Sequence, residues 1–250
     1  MEWSGEGLII GVRRHGESAV IVEAMVPGRG RCLGLIRGGR SPKQAASLQL
    51  GNSAQLVWRA RLEDHLGTFV AEVTRMRAAE LMADRQKLYL IQLLADHLRL
   101  LPERDPHDEL LAVSIALIDG DWTKLSAEPG LRSNSRSLGA ELARFEMFLL
   151  EELGFGLDLQ SCAVTGVQDN LTFVSPKSGR AVSTEAAEPY RDRLLRLPQF
   201  LVDDVPASLA DIGDAFALTG HFLDRHIWTP RQSRPPETRD WLIRHLAGTE

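Results

Sequence analysis

Between Gly28 and Lys43 the chain reads GRGRCLGLIRGGRSPK. The stretch holds Arg29, Arg31, Arg37, Arg40 and Lys43 among five glycines, with no acid. Guanidinium groups grip phosphate through charge-assisted, often bidentate, hydrogen bonds. Glycines let a phosphate backbone approach closely. On a strand, Arg29, Arg31 and Arg37 share odd positions and are expected to face one way. Arg13 and Arg14 add a second basic pair, and Arg59 follows Trp58. An indole can stack on a base, and it can equally plug a core. Contacts of this kind hold a nucleic-acid backbone without reading its sequence.

Other chemistries find little support. Gly34-Leu-Ile-Arg-Gly-Gly39-Arg40-Ser41 nearly spells a nucleotide phosphate loop, but Arg40 stands where that loop has lysine. Too few residues follow before the next strand for the helix of a βαβ unit. None of the seven histidines falls in HxH or HExxH spacing, and Cys32 has no base beside it in sequence. No catalytic residue is assigned, and no enzyme activity is expected. Two turn-like segments, Cys162-Ala-Val-Thr165-Gly166 and Ser175-Pro-Lys-Ser178-Gly179, have the spacing of zinc knuckles with one thiol in place of four. Hydroxyls are poor zinc ligands. The expectation is a degenerate ribbon held by packing and hydroxyl hydrogen bonds, with no metal and no cofactor.

These groups need elements to position them. The 250 residues are 44% hydrophobic and 25% charged, with net charge −5, the composition of a soluble globular protein. Residues 1–61 hold nine basic and four acidic side chains, so the acidic excess lies in the rest. Up to about Met76 the pattern is strand-like: WSGEGLIIGVRR, SAVIVEAMV, GRCLGLIRG, SAQLVWRARL and GTFVAEVTRM, punctuated by Gly, Pro and Asn. Five such strands fit a small Greek-key barrel of the OB type, with a sandwich as the alternative. The period then becomes helical: residues 78–101, 107–119, 137–153, 186–197, 208–227 and 237–247 are predicted helices. The fold class is α+β. A barrel domain spans 1–78, and a mainly helical domain spans 79–250 with a β insertion at 158–184.

The chain resembles the bacterial RecO family of recombination mediators along nearly its whole length. The resemblance rests on GLIIGVRRHGESAVIVEA, the 28–43 turn, LQLGNSAQLVWRARLEDHLGTF, LARFEMFLLEELGFGLDLQSCAVTG and FVSPKSGRAVS. It implies an OB barrel, a helical domain and a ribbon that carries four cysteines in some members; Thr165, Ser175 and Ser178 depart from that pattern. It also implies binding and annealing of single- and double-stranded DNA. The implied partners are RecR, the acidic tail of single-strand-binding protein and, indirectly, RecA. Arg132, Lys177 and Arg180 are the candidate cations for the tail. The implied location is cytoplasmic and nucleoid-associated, away from membranes. A protein–protein adaptor that uses the barrel and the helices is the alternative from another class.

Overall fold

The computed structural model describes residues 1–62, 65–120 and 137–248. They belong to two compact units, Met1–Ile118 and Asp119–Glu250.

The first unit is built on five strands: β1 Glu2–His15, β2 Ala19–Val26, β3 Gly30–Ile36, β4 Ser53–Arg59 and β5 Thr68–Arg75. They close into a barrel in the order β1-β2-β3-β5-β4. That closure is the OB-type arrangement, and it removes the sandwich alternative. β1 serves two neighbours: its first half pairs with β4 and its second with β2, and a register shift between Ile9 and Gly11 bends it from one to the other. Closure between β3 and β5 rests on one parallel pair, Leu35 with Thr68. Alternate residues point inward, as period-two patterning requires. Val20, Val22, Ala24 and Val26 of β2 meet Leu56 and Trp58 of β4 and Phe69 of β5 in the core.

A short helix, α1 (Pro42–Ser47), links β3 to β4. Three more belong to the same compact unit: α2 Ala78–Ala83, α3 Arg85–Leu98 and the start of α4, Asp108–Asp119. The single helix predicted over 78–101 is therefore two. Asp84 leaves the helical conformation, and its carboxylate accepts hydrogen bonds from the backbone N–H of Gln86 (2.8 Å) and Lys87 (3.1 Å). It is an N-cap, and it starts α3 afresh. After α3 the chain is fastened to the barrel. Arg99 donates to Glu23 at 3.0 Å, Glu103 bridges to Arg31, and Gly28 N–H donates to Asp108 at 2.7 Å.

The second unit contains α5 Leu138–Glu152, β6 Leu171–Val174, β7 Ala181–Ser183, α6 Thr184–Ala187, β8 Leu195–Arg196, α7 Leu209–Leu223 and α8 Glu237–Leu246. The helix predicted at 186–197 is mostly absent. α6 lasts four residues, a 3-10 segment runs from Glu188 to Arg193, and Leu195–Arg196 turn extended to pair with β6. Sheet pairing overrides a weak helical pattern there. Leu142, Phe145 and Leu149 of α5 and Phe216 and Phe222 of α7 are buried. Within that core Arg239 of α8 grips Glu146 of α5 through two hydrogen bonds of 2.8 Å. It also donates to the Phe216 carbonyl and the Thr219 hydroxyl.

Candidate nucleic-acid interface

The basic stretch at 28–43 is one run in sequence and two places in space. Arg29 precedes β3 and Arg37 follows it, so the strand separates them by roughly 20 Å. Arg31 lies between, and the expectation that it joins a phosphate-binding face is corrected. It is half-buried, bonded to Glu23 at 2.5 Å and to the Leu101 carbonyl at 3.0 Å, with Glu103 at 3.7 Å. Its charge is spent on joining barrel and helical loop. Trp58 is corrected in the same way. It is 2% exposed, its N–H donates to the carbonyls of Leu33 (3.2 Å) and Leu66 (3.1 Å), and it stacks on Trp3. It fills the barrel and offers no open face to a base. Arg59 lies opposite Glu2 in the strand register and pairs with it at 3.0 Å, which holds the Glu2 carboxyl below its usual range.

Arg14, Arg37 and Arg40 come together at the end of the barrel where β1 turns into β2. Arg14 pairs with Val20, and Val20 with Ile36, so Arg14 and the end of β3 lie about 10 Å apart across one row. Arg37 is the next residue. Arg40 folds back on the β1–β2 turn, donating to the carbonyls of Gly16 and Glu17. Carbonyl partners fix its position and leave its charge intact. Arg14, Arg40 and Arg99 line a groove of about 520 Å³ with Gly39, Ala45 and Leu48. Arg13, Arg14, Arg37 and Lys43 are exposed and have no acidic partner among the described residues. The Gly34–Ser41 near-match to a phosphate loop makes no cradle. Gly34 lies inside the barrel against the Phe69 ring, and Ser41 opens a six-residue helix without a side-chain cap.

At the other end of the barrel is a pocket to which no pattern in the sequence points. Trp3, Gly28, Arg29, Cys32, Leu33, Trp58 and Arg104 enclose about 140 Å³. Arg29 sits 4.8 Å above the Trp3 ring and Arg104 5.9 Å above Trp58. Arg104 is held at φ +62, a left-handed conformation that costs a non-glycine residue energy. Its N–H donates to the Arg31 carbonyl (3.0 Å) and its guanidinium to the His65 carbonyl (2.9 Å). Gly30, at φ +65, makes this possible: a Cβ there would collide with the Asp105 carbonyl. Burial pushes the Cys32 thiol up to about 11, so it stays protonated in the pocket wall. No local signal joins Trp3 to Arg104, a hundred residues away.

In the second unit both knuckles are formed. Gly166 N–H donates to Cys162 O and Gly179 N–H to Ser175 O, each 2.9 Å, with both glycines at positive φ. The donor set does not fit zinc. Thr165 and Ser178 are exposed hydroxyls, and among the described residues no three His, Cys, Asp or Glu side chains gather as a metal-holding group. Hydrogen bonds occupy the ligand positions instead: Ser183 N–H donates to the Cys162 sulfur at 3.3 Å. Burial opposes ionisation of that thiol, but bonds from Ser183 and Thr165 prevail and bring its pKa down to about 6.

Of the candidate tail cations, Arg132 lies outside the described residues. Lys177 is exposed, and Arg180 pairs with Asp158 at 3.0 Å. A cavity of about 760 Å³ in this unit has apolar walls from Met147, Phe148, Leu157 and Leu201. Its lining cation, Arg144, is already bonded to Glu141 and to the Phe200 carbonyl. No helix among the described residues is long and apolar enough to cross a membrane.

Two family models match the chain: Recombination protein O N terminal over residues 1–77 and Recombination protein O C terminal over residues 82–235. Similar curated proteins bear the name DNA repair protein RecO. The one from Methylocella silvestris is 51% identical over 242 residues, 96% of this chain and 93% of its own. That of Mesorhizobium japonicum is 49% identical over 249 residues, 98% and 94%. That of Brucella abortus is 48% identical over 245 residues, 97% and 95%.

Proposed function

The chain belongs to the recombination protein O family, and from that premise we propose that it is a DNA-repair mediator that holds the phosphate backbone on its barrel. The observation that carries the reading is the set of exposed cations without an acidic partner among the described residues, Arg13, Arg14, Arg37 and Lys43, at the β1–β2 end of the barrel, where Arg14 lines the groove. Each can displace counterions from a polyanion, which is the main source of sequence-independent affinity. Their side chains are long and exposed, so they adapt to single or double strands. The relatives are named DNA repair proteins.

The protein acts by holding strands rather than by chemistry of its own. Its proposed partners are single- and double-stranded DNA, RecR and the acidic tail of single-strand-binding protein, with RecA loaded as a consequence. Lys177 is the exposed candidate cation for the tail; Arg180 must first release Asp158. The working location is the cytoplasm, at the nucleoid.

Fluorescence anisotropy with a labelled single-stranded oligonucleotide, across a salt series, tests the reading. Affinity should fall steeply with salt and drop further when Arg14 and Arg37 are both changed to Glu. Binding that ignores salt and charge reversal would favour the adaptor instead.

A further inference from the structure

We propose that the Trp3–Arg104 pocket receives a single unpaired nucleobase, an inference that rests on the mediator reading above. The pocket is small. Its volume of about 140 Å³ equals roughly four or five water molecules at liquid density. One planar ring system fits, and a base pair does not. Its chemistry matches a nucleotide. Trp58 backs one face of Trp3, with ring centroids 5.9 Å apart and planes within 16°. The Arg29 guanidinium also lies over the Trp3 ring, 4.8 Å from its centroid, and Phe69 meets the ring edge-on at 5.9 Å. A base stacked on Trp3 takes Arg29's place, and the flexible arginine swings to the phosphate of the same nucleotide. Stacking on an aromatic accepts any base, because each has a π-face.

Arg104 supplies the second observation. It is a non-glycine residue in a left-handed conformation, and the barrel holds it there through the Gly30–Asp105 approach and the Arg31 carbonyl. Strain of this sort persists only where the surroundings over-determine it, and it concentrates at ligand sites. What the strain secures here is a guanidinium over the pocket floor, bonded to the His65 carbonyl and to no acid among the described residues. Its spare donors suit the acceptor edges of a base. The groove at the opposite end of the barrel grips backbone and cannot tell one strand from two. The pocket can, because a paired base is not free to enter it.

The test uses a short single-stranded oligonucleotide carrying one 2-aminopurine, and the same strand in duplex form. Wild type is compared with Arg104→Gly, Trp3→Ala and Trp3→Phe. Glycine accepts φ +62 without strain, so Arg104→Gly removes the guanidinium and keeps the loop. Unfolding midpoints identify any variant that fails to fold. Wild type should quench the probe on the single strand only. Arg104→Gly and Trp3→Ala should each lose roughly tenfold or more in single-strand affinity, Trp3→Phe should keep most of it, and duplex affinity should not move. Unchanged single-strand binding in Arg104→Gly, or equal losses on both substrates, overturns the pocket while leaving the mediator reading intact. Wild type that binds neither substrate overturns both.

Discussion

Arg239 of the helical unit and Arg37 of the barrel carry the same group in opposite circumstances. Arg239 is buried, its guanidinium bonded to Glu146, Thr219 and the Phe216 carbonyl and set over the rings of Phe216 and Trp228. Arg37 stands exposed at the end of β3, with Arg13, Arg14 and Lys43 also exposed at that end. The first charge is consumed by the fold, and the second is available to a ligand. Arg31 and Arg59, which the sequence places with the second group, belong with the first because Glu23 and Glu2 neutralise them. What separates structural from functional arginine in this chain is the partner, not position in a basic run.

The contrast is broken most severely at Arg239. Changing it to Met takes the guanidinium away from Glu146, whose carboxylate has no exposed side-chain surface. The expected loss is about 3–5 kcal/mol in urea unfolding. Changing Glu146 to Leu as well should restore much of it, since an apolar pair of similar volume replaces the ions. DNA affinity of the refolded double variant should match wild type.

Gly30→Ala comes next. The left-handed conformation alone costs a side chain about 1–2 kcal/mol, and the collision with Asp105 adds to it. A lowered melting temperature measured by calorimetry checks this. An unchanged one would show that the loop after α3 is not tied to the barrel as described.

Charge reversal of Arg13, Arg14, Arg37 and Lys43 should do the converse. Stability should stay within error while the slope of log affinity against log salt shrinks, by about 0.7–0.9 for each phosphate no longer neutralised.

Cys162 gives a smaller effect, with its own pH signature. Its folded pKa of about 6 is below the value of roughly 8.5 for an unfolded thiol. The ionised form therefore favours the fold. The contribution is complete above about pH 8.5 and disappears as the pH falls through about 6. Wild type should lose more stability than Cys162→Ser between those limits. A parallel decline in both would show that the thiol does not titrate there.

The smallest effect is expected at Arg59→Ala. The Arg59–Glu2 pair is exposed to solvent, so neither stability nor DNA binding should change measurably.

Period and punctuation were enough to read the barrel, because its strands carry partly alternating apolar residues and are punctuated by Gly, Pro and Asn. The helix broken at Asp84 carried a legible signal, an Asp capable of capping, that the continuous apolar stripe obscured. The knuckles were legible from spacing alone, since glycine must follow each turn. The partners of the arginines were not. Glu23 meets Arg31 through strand register and Arg99 through a hydrogen bond between residues 76 positions apart. Trp3 and Arg104 line one pocket, where Gly30 lets the loop after α3 approach the barrel. Local pattern fixes which residue types are present, and long-range register decides which charges are left over.

The division between spent and available arginines is decided by the salt dependence of single-strand binding. Single alanine variants of Arg13, Arg14, Arg37 and Lys43 are set beside Arg31→Ala and Arg59→Ala. A shallower slope is predicted for each of the first four, and the wild-type slope for Arg31→Ala and Arg59→Ala. Equal slopes for all six, or a shallower slope at Arg31 and Arg59 alone, would contradict that division.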